Sequence, residues 1–194
     1  MQTTSSLLHQ CEAHSYSVGY RWNPLKCVIV APNNDAQTYQ LYGTTIPKES
    51  SFSYLGIHIK PGGLLDYPAM IQHNINKASL TMNQLAAIGL SSKGFPPLLA
   101  CRFYSQMIRA QLDYGLAISP LTTKFIHQLD TFQNQCIGRI FGDHSRSSAQ
   151  IMLHLVNLPS MRTRVAILQA QYLFRSINLS DNALLVHLLP YIQT

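Results

Sequence analysis

The fold of this chain is decided by residues 22–30, WNPLKCVIV, and by residues 52–59, FSYLGIHI. The first stretch follows a predicted helix over 4–18 that ends at Gly19, and it places Lys26 at the entrance of a strand over 26–31. That strand is apolar from 27 to 30 without alternation, which is typical of a strand covered on both faces. The second stretch alternates until Leu55-Gly56 breaks the phase, as a turn or a β-bulge does.

Two further strands complete the first part of the chain. They are predicted over 38–46 and 51–60, joined through residues 47–50, and Pro61-Gly62-Gly63 ends the region. Residues 1–62 are therefore predicted to form one helix and a three-stranded antiparallel sheet.

The rest of the chain has helical periodicity. Helices are predicted over 67–89, 97–118, 122–141, 147–156, 160–177 and 181–189. The apolar stripes of the first three run through Ile71, Ile75, Ala78, Met82 and Leu85, then Leu99, Phe103, Met107, Ala110 and Tyr114, then Phe125, Leu129, Phe132, Cys136 and Ile140. The predicted fold class is α+β, with a mixed region over 1–62 and an all-helical region over 63–194.

Composition excludes several classes of protein. A hydrophobic content of 46% with 11% charged residues indicates a folded chain and not a disordered one. No apolar run reaches the length of a membrane-spanning helix. The four cysteines form no Cys-x-x-Cys pair, so we expect reduced, mostly buried thiols in an intracellular protein, with nucleus or cytoplasm left open.

The charge lies mainly in the helical region. Residues 1–62 carry four basic and three acidic side chains, a net charge of +1, and residues 63–194 carry ten and five, a net charge of +5. A basic helical region suits phosphate contact, and it equally suits an ordinary solvated surface.

The acidic residues do not form a catalytic set. Polymerase chemistry needs two divalent cations held by carboxylates that meet at one point, and none of the eight acidic residues is adjacent to another. No Gly-x-Ser-x-Gly elbow is present, and His9, Cys11 and His14 do not share one face of a helix. We therefore expect neither catalytic residues nor a metal site in this chain.

Five short motifs, taken in order, resemble the palm and thumb of the reverse transcriptases of non-LTR (LINE-type) retrotransposons. They are 19–27 GYRWNPLKC, 41–47 LYGTTIP, 54–57 YLGI, 112–115 LDYG and 132–136 FQNQC. The resemblance covers about residues 5–142 and implies a partial palm over 1–62 and a helical thumb and connector over 63–194. The intact family is an RNA-directed DNA polymerase that uses magnesium. The aromatic-Ala-Asp-Asp turn that holds the metal is missing here and is expected upstream of Met1, so the chain is predicted to be a truncated form, inactive alone and without a cofactor of its own.

The resemblance assigns roles to two features of the palm. Lys26 corresponds to a lysine near the incoming nucleotide, where an ammonium steadies phosphate charge; the alternative is a lysine at a strand entrance with its head in water. Tyr54, Leu55 and Gly56 correspond to the primer-grip turn; the alternative is a β-bulge that closes the core.

The resemblance also assigns a role to the thumb. Lys93, Arg102 and Arg109 correspond to a basic ladder that tracks the template-primer, and a spacing of seven residues predicts Arg102 and Arg109 on one helix face; the alternative is a solvated face. The expected partners are an RNA–DNA template-primer and a separate N-terminal catalytic half, with no membrane. The competing functional hypothesis is a helical protein-interaction module, or an inert remnant without nucleic-acid binding.

Overall fold

The computed structural model describes residues 4–32, 34–142, 148–180 and 182–183. The fold is α+β, and the chain divides into two compact units, 1–66 and 67–194. The boundary predicted at 62/63 lies inside the first unit, because Leu64–Leu65 adds a strand to the sheet there. The helix predicted over 181–189 falls almost wholly outside the described residues.

The first unit holds one helix and seven very short strands. Helix α1, Thr4–Val18, confirms the prediction. The strands are β1 Ile29–Val30, β2 Gln40–Leu41, β3 Thr44–Thr45, β4 Lys48–Glu49, β5 Phe52–Tyr54, β6 Ile57–Lys60 and β7 Leu64–Leu65. They form a parallel pair β1-β4, an antiparallel pair β2-β3 and a three-stranded antiparallel sheet β5-β6-β7.

The three strands predicted for this unit were wrong in their extent. The segment 38–46 is a hairpin, since Tyr42 and Gly43 both adopt positive φ (51° and 73°) and reverse the chain. The segment 51–60 is a second hairpin and not a bulged strand, because Tyr54 pairs with Ile57 across Leu55-Gly56. The strand over 26–31 shrinks to β1, and residues 24–26 form a 3₁₀ turn.

The second unit is all helical in its described residues, and the helices fall where the periodicity predicts them. They are α2 Tyr67–Ala87, α3 Pro97–Phe103, α4 Arg109–Asp113, α5 Thr123–Phe141, α6 Ala149–Leu155 and α7 Met161–Ile177. A π-helical segment, Tyr104–Ile108, joins α3 to α4, and a 3₁₀ turn follows at Leu116–Ile118. Gly142 ends α5 in the left-handed conformation.

The core of the second unit confirms two of the three predicted stripes. Residues 71, 78, 82 and 85 of α2 and residues 129, 136 and 140 of α5 are buried. The stripe predicted for 97–118 was wrong: Leu99, Met107, Ala110 and Tyr114 are exposed. The buried positions are instead 100, 101, 104, 108, 109, 112 and 116, because both faces of this segment carry apolar residues and the π-helical segment changes the register.

All four cysteines are free thiols. Cys101 and Cys136 are buried, Cys27 is half-buried and Cys11 is exposed, so the expectation of mostly buried thiols holds for two of them. Within the described residues, no helix combines the length and apolarity needed to cross a bilayer.

Candidate nucleic-acid interface

Lys26 lies on a well-defined turn of the first unit. Asn23 caps this turn, since its Oδ1 accepts a hydrogen bond from the backbone N–H of Leu25 at 3.0 Å. The backbone N–H of Lys26 donates to the Asn23 carbonyl at 3.0 Å, and that of Cys27 donates to Pro24 O at 3.1 Å. The lysine is exposed, and no described carboxylate forms an ion pair with it. Its ammonium is therefore presented to solvent from a fixed backbone.

The hairpin β5-β6 presents its turn to solvent. Leu55 and Gly56 have φ of 49° and 78°, the signature of a tight two-residue hairpin turn that favours Asn-Gly. Leucine is an uncommon residue at positive φ, and Leu55 is 74% exposed. Tyr54 is also exposed, so it does not fill the core as the bulge interpretation requires.

The turn of the hairpin β2-β3 makes a useful comparison with Leu55. Tyr42 also has positive φ, but its hydroxyl is in hydrogen-bond contact with Ser15 Oγ and accepts from the backbone N–H of Trp22 at 3.3 Å. Side-chain contacts of this kind offset the strain of a left-handed tyrosine. Leu55 adopts the same left-handed conformation with a largely exposed side chain.

Arg109 is not part of a phosphate-binding surface. It is only 4% exposed, and its Nη2 donates to the Pro159 carbonyl at 3.0 Å. The π-helical segment takes more residues per turn than an α-helix, so a spacing of seven does not return to the same face. Arg102 therefore remains exposed while Arg109 turns inward, and the prediction of a shared basic face for these two residues was wrong.

A buried polar network surrounds Arg109. Gln133 Nε2 donates to the same Pro159 carbonyl at 3.2 Å, and the Tyr104 hydroxyl donates to Gln133 Oε1 at 3.2 Å. Burial of the guanidinium lowers the pKa of Arg109, opposed by the nearby Tyr104 and Asp113, and burial raises the pKa of Tyr104. This network joins α3–α4 and α5 to the segment before α7.

The two described acidic side chains of the second unit, Asp113 and Asp130, bond to residues of α7. Asp113 Oδ2 accepts hydrogen bonds from Nε and Nη2 of Arg164, each at 2.8 Å. Asp130 Oδ1 accepts from the backbone N–H of Met161 at 2.7 Å, at the first turn of α7. These two are the only acidic residues of the second unit within the described ranges, and neither is exposed.

The exposed charges of the second unit are consequently all positive over the described residues. Seven cations are exposed: Lys77, Lys93, Arg102, Lys124, Arg139, Arg162 and Arg175. The sequence alone does not distinguish these exposed cations from Arg109 and Arg164, which bond to groups within the fold.

Three of these cations, Lys93, Arg102 and Arg139, lie on segments that contact one another, and we call these three side chains the basic end. Ser92 packs against the residue that ends α5, since a β-carbon on Gly142 would lie 2.7 Å from its Cβ. Phe95 stacks on Phe103 with 5.7 Å between ring centroids, so the loop that carries Lys93 folds back on α3. Sequence reasoning missed Arg139; its place in the last turn of a helix, one residue before a buried isoleucine, was the available signal.

No metal centre is apparent in the described ranges: no three histidine, cysteine, aspartate or glutamate residues come together there. Asp143 and Asp181 lie outside these ranges. What the described residues can do chemically is hold phosphates with exposed ammonium and guanidinium groups.

No protein-family model, curated protein or solved structure matches this chain. Likeness to known proteins therefore assigns no family, and the function is inferred from the motifs and the geometry described above.

Proposed function

We propose that this chain is the C-terminal palm and thumb portion of a reverse transcriptase of the non-LTR type, and that it binds an RNA–DNA template-primer without holding metal ions itself. In this proposal residues 1–66 are the partial palm and residues 67–183 belong to the thumb and connector. The binding is electrostatic, and polymerisation requires carboxylates from another part of the enzyme.

The observation that carries the proposal is that all exposed charges in the described residues of the second unit are positive. Seven exposed cations face solvent in the described residues while both described carboxylates are occupied by α7. A surface of this kind attracts phosphates and releases their counterions, which is the main source of affinity for a nucleic-acid backbone.

The basic end is the part of this surface that we assign to phosphate contact. Lys93, Arg102 and Arg139 come from a loop and two helices, and two packing contacts bring their segments together. Arg139 Nη1 donates to Asn83 Oδ1 at 2.8 Å, which orients the guanidinium and leaves its other donors for a ligand.

Two features of the palm unit fit the same proposal. The exposed turn at Leu55-Gly56 has the strained conformation expected of a turn kept for contact with the primer strand. Lys26 presents its ammonium from a capped turn, as a lysine beside a nucleotide phosphate must. The roles of this turn and of Lys26 depend on the resemblance to reverse transcriptases. The positive charge of the second unit is observed independently of that resemblance.

Hybrid binding by the purified chain tests the proposal. With three phosphate contacts the logarithm of affinity falls with the logarithm of salt at a slope of about −2.7, so binding weakens about 40-fold between 50 and 200 mM salt. Arg102→Ala and Arg139→Ala should each weaken binding at low salt. The matched control is Lys124→Ala, which removes a charge from the opposite end of α5, about 22 Å away. The absence of binding at 50 mM salt would count against the proposal, and so would equal losses in all three variants.

The competing function, a helical protein-interaction module, is favoured by one observation. The C-terminal half of α7 exposes Leu173, Phe174 and Ile177, and exposed apolar residues in one patch mark protein contacts. A second copy of the chain is the first partner to test. Sedimentation that depends on concentration, abolished by Phe174→Asp, together with no hybrid binding would favour this function.

A further inference from the structure

The end of α1 carries a group of aromatic side chains that the proposed function does not use. Gly19, with φ of 78°, ends the helix, and the backbone N–H of Tyr20 donates to Ser15 O at 3.1 Å. The chain thereby turns back along the last turn of α1. The rings of Tyr20 and Trp22 meet edge to face with 5.2 Å between centroids, and His14 lies against the Tyr20 ring at 6.2 Å.

Tyr42 holds this group in place from the neighbouring hairpin. Its ring packs edge to face on Tyr16 at 5.5 Å, and its hydroxyl accepts from the backbone N–H of Trp22 at 3.3 Å. The guanidinium carbon of Arg21 lies 4.6 Å from the centroid of the same ring. These contacts hold the arrangement from within the first unit.

The aromatic rings remain open to solvent. Tyr16, Tyr20 and Trp22, which we call the aromatic platform, are 66%, 39% and 44% exposed. Large aromatic side chains bury well in a core, and three of them exposed together and held by ring contacts are costly unless their faces meet a partner.

The charges around the platform select the chemistry of that partner. Arg21 is exposed and lies over the Tyr42 ring, and Lys26 is exposed four residues after Trp22 in the sequence. Residues 13–32 contain no aspartate or glutamate. The nearest carboxylate in sequence, Glu12, accepts a hydrogen bond from the backbone N–H of Tyr42. Flat aromatic faces flanked by cations are the combination that binds unpaired nucleobases together with their phosphates.

We propose that the aromatic platform binds single-stranded nucleic acid, with bases stacked on Tyr20 and Trp22 and phosphates held by Arg21. This inference is independent of hybrid binding by the second unit, because the platform lies in the first unit and base faces are inaccessible inside a duplex. An unpaired template strand is one source of such a ligand, and a free oligonucleotide presents the same chemistry.

The fluorescence of Trp22 tests the proposal directly, since it is the only tryptophan of the chain. The full chain is titrated with oligothymidylate of 20 nucleotides, and stacking on the indole should quench its emission in a saturable way. Tyr20→Ala should weaken binding about tenfold, the loss of one stacked base. Tyr172→Ala, a tyrosine exposed on α7 of the other unit, should leave it within twofold.

Four results would overturn the proposal. One is no quenching at 50 mM salt, and another is quenching that Tyr20→Ala leaves unchanged. The third is equal quenching by inorganic polyphosphate, which carries charge but no bases. Two variants at Trp22 separate stacking from folding when their affinity is measured by the anisotropy of a labelled oligonucleotide. Trp22→Phe should retain most of the affinity, and Trp22→Ala should bind about tenfold more weakly. Equal affinity of these two variants would also contradict it.

Discussion

Replacement of Arg109 should change the stability of the second unit and not its affinity for nucleic acid. Arg109 is 4% exposed, and its Nη2 donates to the Pro159 carbonyl at 3.0 Å. Arg109→Ala removes this charge-assisted hydrogen bond, worth about 1.5–3 kcal/mol, and opens a cavity where the aliphatic stem packed, worth about 1–2 kcal/mol. Release of a buried charge offsets part of the loss. We expect a net loss of about 3 kcal/mol in the free energy of unfolding.

The partners of Arg109 limit this loss. Pro159 O keeps its hydrogen bond from Gln133, and Asp113 keeps its ion pair with Arg164, so neither is left bare by the substitution. Arg109→Met fills the same space without a charge and should stay within about 1 kcal/mol of the wild type.

Urea unfolding followed by circular dichroism measures these free energies. Arg102→Ala is the control at an exposed position and should change the free energy of unfolding by less than about 0.5 kcal/mol. Hybrid binding is measured on the same proteins, and Arg109→Met should retain its affinity within twofold. Unfolding of Arg109→Ala at the wild-type urea concentration would contradict a structural role for Arg109. Hybrid binding by Arg109→Met as weak as that of Arg102→Ala would contradict it as well.

Three further predictions follow from single sites. Leu55→Asn should stabilise the chain by about 1 kcal/mol in urea unfolding, because asparagine adopts positive φ more readily than leucine; a loss of stability would show that Leu55 has contacts worth more than the strain. Burial raises the pKa of Cys101 to about 11 and that of Cys136 to about 12. Iodoacetamide at pH 8 should therefore label Cys11 and leave Cys101 and Cys136 unmodified, as measured by mass spectrometry. Rapid labelling of all three thiols would contradict the burial of the last two. Hydrogen bonds from the Gln37 backbone and from Tyr39, with the charge of Lys48, lower the pKa of Asp35 below its usual 3.8. The stability that Asp35 contributes is therefore present above pH 3.8 and is lost as the pH falls through the lowered pKa. Asp35→Asn should reduce the loss of stability in acid, and an unchanged dependence of stability on pH would argue against this role of Asp35.

Helix positions could be predicted from sequence because apolar spacing and terminal glycines are local signals. The stripe of α2 through Ile71 and Met82 is regular, and burial follows it. The buried positions of the segment 97–118 could not be predicted in the same way. Apolar residues occur on both of its faces, and nothing in the sequence marks the π-helical segment. The misassignment of Arg109 follows from that one register change.

The strands of the first unit were predicted poorly for a different reason. Strands of two to four residues carry too few alternations to define a period. The turns at Tyr42-Gly43 and Leu55-Gly56 lack the Asn-Gly or Asp-Gly pair that usually marks a hairpin. The aromatic platform could not be predicted either, because Tyr42, which contacts Trp22, lies twenty positions further along the sequence.

The salt dependence of hybrid binding, compared between the wild type and a variant with alanine at Lys93, Arg102 and Arg139, tests the central claim most directly. Each phosphate contact contributes about −0.9 to the slope of log affinity against log salt. We predict a slope near −2.7 for the wild type and a slope near zero for the triple variant, with the same circular dichroism spectrum for both. An identical slope in a folded triple variant would contradict the assignment of the basic end to phosphate binding.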